Sequence, residues 1–345
     1  MDFTFLSSTN LLLIFIFCTA IIWVAGVKIT KAVDVITTYF NLGEAFGGMV
    51  FLAIVTNLPE IAITVVAAYH QDYDIAVSNI LGGVAIQTVV LVLIDVFGVG
   101  RIAPLTLKGH SRVLILEGVA LIMILTLVMM AKQFPSHLVI FRSNPIEWLI
   151  LFIWLGSIYS ISKIAQSDQN TQEAKTPISK LRHPKSPLKG GIQSAITILI
   201  VGAIFTLFAG WALEYSGEIL SKRWDISGVI FGGTVLALAT ALPEISTGIA
   251  SAKIRDYNMA VSDIFGGNAF LPVLFFIASV ISGEAVISTL SHSDMYLTGL
   301  GILLTCIYMV GMVLHSRKQV FRMGIDSLFV LITYILGLVG LWAIT

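Results

Sequence analysis

Charge is what this chain lacks. Only 12% of its 345 residues are Asp, Glu, Lys or Arg, against about a quarter in an ordinary soluble domain. The hydrophobic set makes up 57%, and its members lie in long continuous blocks. That excludes a water-soluble globule. It also excludes a transmembrane β-barrel, whose strands alternate over about ten residues. Cysteine is scarce too. Cys18 and Cys306 both sit inside apolar blocks, so neither a disulfide nor a thiolate metal site is expected. The six histidines (70, 110, 137, 183, 292 and 315) fall mostly in loops. No nucleophile–base constellation accompanies them, which argues against an enzyme. No glycine-rich phosphate loop is present, so no nucleotide is expected, and a formal net charge of zero implies no nucleic-acid partner. The opening MDFTFLSSTN carries an acid and no base, unlike a cleavable signal peptide, so the first block is expected to stay as a helix.

What is there reads as an all-α polytopic membrane protein. Blocks long enough to cross about 30 Å of hydrocarbon fall near 11–27, 44–69, 76–97, 113–131, 146–164, 192–213, 228–252, 259–281, 295–314 and 325–344. That predicts ten spans, five in residues 1–164 and five in 191–345. The stretch 165–190 between them is rich in Lys, Ser, Gln and Pro and reads as a flexible linker. With ten spans the loops alternate between two faces. One face then receives every Lys and Arg except Lys132, Arg142, Lys222 and Arg223. Under the positive-inside rule the linker is cytoplasmic and both termini lie outside, in a bacterial- or archaeal-type inner membrane.

Residues 56–60, TNLPE, recur as TALPE at 240–244, an offset of 184 residues. The match runs on without a gap. Gly48 meets Gly232, Thr56 meets Thr240, Asp72-Tyr73 meets Asp256-Tyr257, Ala76-Val77-Ser78 meets Ala260-Val261-Ser262, and Gly82-Gly83 meets Gly266-Gly267. Chance likeness between apolar segments gives Leu and Val matches, not aligned Pro, Glu, Asp and Gly. Each copy holds five spans, an odd number, so the halves are expected to be inverted repeats. Many secondary transporters are built this way, with the site near the midplane where interrupted helices meet.

Proline inside a span removes a donor and clashes with the preceding turn. The helices should therefore break before Pro59 and Pro243, freeing carbonyls around Ala53–Thr56 and Ala237–Thr240. Such backbone is tolerated at membrane depth only when buried in protein or lining a polar cavity. A plain packing kink would explain one such proline, but here a glutamate follows each. A glutamate at that depth costs about 2.5–3.5 kcal/mol or more. A protonated structural carboxyl is the bland account, and two in matched positions weigh against it. Glu60, Glu244, the Thr56 and Thr240 hydroxyls and the Ala53 and Ala237 carbonyls make an all-oxygen set, suited to hard cations such as Ca²⁺ or Na⁺. Gln87, polar within a span, is a further candidate lining residue. Asn79 and Asp263 face either this cavity or a helix entrance, and Asp34 and Glu218 are interfacial charges or stand on an access path.

With these motifs in view, the sequence resembles the cation/calcium exchanger superfamily. That family carries a glycine-led run ending in GTSLPE-like residues in each half, followed by a GN…GSN-type segment on the next helix. GMVFLAIVTNLPE and GTVLALATALPE match the first segment, and DYDIAVSNILGG and DYNMAVSDIFGG the second. The resemblance implies two inverted five-helix repeats, Glu60 and Glu244 as main cation ligands, and Thr56, Thr240, Ala53 and Ala237 beside them. It also implies that spans 1 and 6 move. The chain departs from the pattern in several places. The motif serine is Asn57 in one copy and Ala241 in the other; the GSN serine is Gly83 and Gly267; the following amide or acid is Gln87 and Leu271. Asn57 is expected to supply an amide oxygen in compensation. The expected function is alternating-access antiport of Ca²⁺ against Na⁺. Ca²⁺/H⁺ exchange through the same glutamates and a non-transporting ion-binding relative are the alternatives. The cations are substrates, no cofactor is expected, and the other partner is the lipid bilayer.

Overall fold

The computed structural model describes residues 5–40, 51–71, 73–101, 103–109, 111–135, 138–173 and 191–345. The beginning of the 44–69 block, Gly48 and Asp72 of the repeat, and 174–190 of the expected linker lie outside the described residues. In chain order come α1 (Ser8–Tyr39), α2 (Leu52–Thr56), α3 (Leu58–His70), α4 (Asp74–Leu93), α5 (Leu105–Lys108), α6 (Arg112–Ala131), α7 (Pro145–Glu173), α8 (Gly191–Arg223), α9 (Gly228–Ile230), α10 (Ala237–Thr240), α11 (Leu242–Lys253), α12 (Tyr257–Phe270), α13 (Val273–Ser282), α14 (His292–Leu314) and α15 (Ile325–Ile344). A two-residue hairpin, β1 (Gln319–Val320) with β2 (Met323–Gly324), precedes α15.

Among the described residues, eight helical segments are long and apolar enough to cross a membrane. A ninth is the pair Gly228–Thr240 and Leu242–Lys253, bent by 44° at its break. The 44–69 block is represented by α2 and α3, of which α3 is apolar but shorter than a span. The linker expected from 165 begins as helix, because α7 runs on to Glu173.

Composition decides which helices lie inside. α4 is apolar on every side, with a vanishing hydrophobic stripe, and nearly all of Ile75–Val92 is buried. Such a helix belongs at the centre of a bundle. Matched to it, α12 continues into α13 and is also largely buried. Both central helices press against the proline-broken segments. A side chain at Gly82 of α4 would collide with the Gly233 backbone, and one at Gly232 would lie 2.6 Å from the Ile75 carbonyl. Small residues let these backbones touch. α1 and α8 are the longest helices and pack on each other. They leave Phe17, Trp23, Phe205 and Phe208 exposed, as lipid-facing positions should be.

The two long helices also cross the halves. A side chain at Gly26 of α1 would meet Pro243 Cβ at 2.6 Å, and one at Gly210 of α8 would meet the Pro59 carbonyl at 3.0 Å. Both members of each contact shift by 184 residues. Each long helix therefore rides on the proline of the other half.

Candidate cation site

The breaks form where the prolines require them. Asn57 separates α2 from α3, and Ala241 separates α10 from α11. Asn57 N–H bonds the Ala53 carbonyl at 3.3 Å, and Ala241 N–H bonds the Ala237 carbonyl at 3.0 Å. The ladder resumes with Ile61 N–H to Asn57 O at 3.0 Å and Ile245 N–H to Ala241 O at 3.1 Å. Pro59 can offer nothing to the Val55 carbonyl and Pro243 nothing to that of Ala239. The carbonyls the prolines release are thus Val55 and Ala239. Ala53 and Ala237, the expected carbonyls, already accept local bonds. Ala53 O takes Asn57 Nδ2 at 2.7 Å and Thr56 Oγ1 at 3.3 Å, and Ala237 O takes Thr240 Oγ1 at 3.2 Å.

All eight residues expected at the site are buried, and Glu60 and Glu244 are at most 1% exposed. The two carboxylates are close enough to repel one another. The Thr240 hydroxyl lies beside Glu60 and the Thr56 hydroxyl beside Glu244, so each acid faces the other motif's threonine. Yet none of the four carboxylate oxygens has a hydrogen bond of ordinary geometry. Asn57 Oδ1, both amide atoms of Gln87 and both of Asn79 are likewise buried and unpartnered. Buried polar atoms are nearly always bonded, so such a concentration calls for a ligand or water. Both threonine hydroxyls donate back to carbonyls, so it is as acceptors that their oxygens would meet an electropositive neighbour. Among the described residues, no three His, Cys, Asp or Glu side chains gather as a metal cluster. The acids form a pair that must be completed by hydroxyl, amide and carbonyl oxygens.

The departures from the expected pattern fall on two distinct flanks. A side chain at Gly267 would lie 3.0 Å from Asn57 Nδ2 and 3.6 Å from Gln87 Oε1, while one at Gly83 would lie 3.3 Å from Leu271 Cδ1. Asn57 and Gln87 therefore make a polar flank beside Gly267. Leu271 makes an apolar flank beside Gly83.

Of the residues left open by spacing, Asp263 is buried and accepts Thr247 Oγ1 at 2.9 Å, one turn beyond Glu244. Its charge reaches Glu244, and its Oδ1 is unpartnered. Glu218 is ion-paired with Lys222 one turn on, as an interfacial charge would be. Among the buried acids that sequence reading missed, two bond repeat-related serines. Ser262 Oγ donates to Glu117 of α6 at 2.7 Å, and Ser78 Oγ donates to Asp294 of α14 at 2.9 Å. The serines are repeat mates, and each bonds an acid of the opposite half.

The profile of the sodium/calcium exchanger protein family matches residues 10–161 and 194–343. The chain belongs to that family. Inner membrane protein YrbG of Escherichia coli strain K12 is 26% identical over 272 residues, which are 78% of this chain and 79% of that protein. Among solved structures, the sodium-calcium exchanger NCX_Mj aligns with a TM-score of 0.60 at 15% identity, covering 96% of this chain and 99% of that one. Native YfkE aligns with a TM-score of 0.65 at 12% identity, covering 95% and 91%. These likenesses carry the fold. As a sodium/calcium exchanger family member, the chain is a multi-pass membrane protein of an ion-antiporter family rather than an enzyme family, with inorganic cations as the family's substrates.

Proposed function

We propose that this exchanger moves Ca²⁺ against Na⁺ across the cytoplasmic membrane, with Glu60 and Glu244 as the ligands both cations share. The observation that carries this reading is the pair of fully buried carboxylates whose four oxygens lack a hydrogen bond of ordinary geometry. Two bare carboxylates so placed are strongly disfavoured. One Ca²⁺ neutralises them, and so do monovalent cations taking its place. The neutralised protein can switch the face to which the site opens, whereas the doubly charged one resists. That difference enforces exchange over leak. Thr56, Thr240, Asn57 and Gln87 supply neutral oxygens, and the Ala53 and Ala237 carbonyls join them by giving up one of their local hydrogen bonds.

The architecture under this reading is ten spans in two inverted five-span repeats, 1–164 and 191–345, joined by a cytoplasmic linker, with both termini outside. The exchanged contacts of Gly26 with Pro243 and of Gly210 with Pro59 support it, because a two-fold pair of repeats produces reciprocal contacts, and five spans per copy make that pair inverted. α1 and α8 are then the pair that slides. Ca²⁺/H⁺ exchange is the second reading, and the apolar flank at Leu271 and Gly83 favours it by withdrawing oxygens a Na⁺ site would use.

Purified protein in liposomes tests both. Uptake of ⁴⁵Ca²⁺ driven by a Na⁺ gradient is the expected result, and uptake driven only by a pH gradient selects the proton reading. Glu60→Gln and Glu244→Gln should each abolish flux. Flux unchanged in either variant overturns the site.

A further inference from the structure

Three cationic side chains from three separate connections converge away from the exchange site. Arg101 follows the π-helical end of the third span (Ile94–Val99), Lys253 closes α11, and Arg322 sits at the tip of the β1–β2 hairpin. Together with Phe97, Gly98 and Gly100 they line a cavity of about 440 Å³. Among the described residues, none of the three has an acidic partner or a hydrogen bond. Gly100 makes the convergence possible. Its φ of +69° turns the chain, and a side chain there would lie 3.3 Å from the Arg322 guanidinium. Gln319 Nε2 bonds the Gly100 carbonyl at 2.9 Å, fixing the hairpin over the turn.

The opposite face carries a copy of this scaffold with different chemistry. Phe141-Arg142 forms the same double left-handed turn as Phe321-Arg322, inside an Ile140–Ser143 bridge. Arg142 lies over Gly283, whose φ is +81°, at 3.9 Å from where its side chain would begin. The counterparts of Arg101 and Lys253 there are Glu284 and Tyr69. The scaffold therefore needs only the arginine over the glycine, and the two further cations are additions to one face. A general preference for basic residues on one side places them at that face. It does not require that they share a cavity with no acid.

We propose that this cavity holds the phosphate of an anionic phospholipid headgroup, clasped by Arg101, Lys253 and Arg322. Arginine and lysine together suit a phosphate oxyanion, and basic pockets at this depth are where headgroups sit. Phe97 on the cavity wall is 61% exposed, an apolar rest for an acyl chain, which favours a lipid over a soluble anion. Bound there, the headgroup ties the end of α11, the helix of Glu244, to the third span and the hairpin. The site stands on the membrane-spanning fold alone and is independent of which ion is exchanged.

The full-length protein in neutral detergent, offered phosphatidylglycerol or phosphatidylcholine of the same acyl chains, tests this by native mass spectrometry and thermal unfolding. A retained phosphatidylglycerol adduct with a raised melting temperature is expected, and phosphatidylcholine should give neither. R101Q/K253Q/R322Q should lower adduct occupancy at least tenfold. K28Q/K31Q/R112Q, which removes as much charge from exposed positions elsewhere, should leave it unchanged. Equal losses in the two triple variants overturn the site. Stabilisation by inorganic phosphate without a lipid adduct overturns the lipid as its occupant.

Discussion

At the scale of single residues, the candidate site is lopsided. Repeat-related positions that could have been identical differ, with Asn57 against Ala241 and Gln87 against Leu271. Geometry shows why the differences belong together. The space a residue at 267 would occupy is taken by Asn57 and Gln87, and the space at 83 by Leu271. A larger polar group on one flank fills what a small side chain leaves, while the other flank is filled with hydrocarbon. Restoring oxygen to the apolar flank should therefore create a ligand position. Leu271→Asp with Gly83→Ser removes the methyl groups and supplies a carboxylate and a hydroxyl within reach of each other. The double variant is expected to show steeper Na⁺ dependence of Ca²⁺ uptake, its Hill coefficient rising by about one. A Na⁺ dependence identical to that of the parent means that this flank does not face the transported ions.

At the scale of helices, close backbone contact makes the fold possible, and the glycines carry it. Gly82 is the most demanding case, because any side chain there meets the Gly233 backbone, which cannot rotate away. Gly82→Ala should cost about 1–3 kcal/mol, as overpacking in a well-packed interior does, and lower the melting temperature in detergent. Gly156, with nothing within 4 Å of where a side chain would start, should tolerate alanine without loss. Equal behaviour of the two variants contradicts the close crossing. These elements were legible in sequence to different depths. The proline breaks and the two glutamates were readable because Pro and Glu have no other business in an apolar block. The serine–acid pairs at Glu117 and Asp294 were not, because a lone buried acid names no partner and Ser262 and Ser78 lie far from them in the chain. The twin Phe-Arg turns escaped for another reason. They repeat at 180 residues rather than 184, so a gap-free comparison slides past them. Register is kept through the packed spans and slips in the loops.

At the scale of the whole molecule, the same slipped register shows how the ends of the bundle are fastened. Asp95 at the end of the third span accepts Leu105 N–H at 2.8 Å, Gly324 N–H at 2.7 Å and Ser327 Oγ at 2.7 Å. At the other end, Glu147 accepts Ser279 Oγ at 2.8 Å and Ile287 N–H at 3.1 Å. Acid and serine have traded places between the copies, since Asp95 corresponds to Ser279 and Ser327 to Glu147. Loops therefore meet in two separate groups. The connections holding Leu105 and Gly324 form one, and those holding Asn144 and Ser288, bonded at 3.1 Å, form the other. Alternation through the ten proposed spans requires this grouping, and five of those spans would separate Arg142 from Lys318. Single cysteines at those exposed positions, placed in a Cys18→Ala, Cys306→Ala background, make the arrangement measurable with a membrane-impermeant maleimide. Arg142→Cys is expected to label in intact cells, and Lys318→Cys only after permeabilisation. The reverse pattern would keep the inverted halves and overturn the orientation alone. Labelling of both from one side breaks the five-and-five arrangement. It would assign the reciprocal Gly26–Pro243 and Gly210–Pro59 contacts to a two-fold axis along the membrane normal instead of one in its plane.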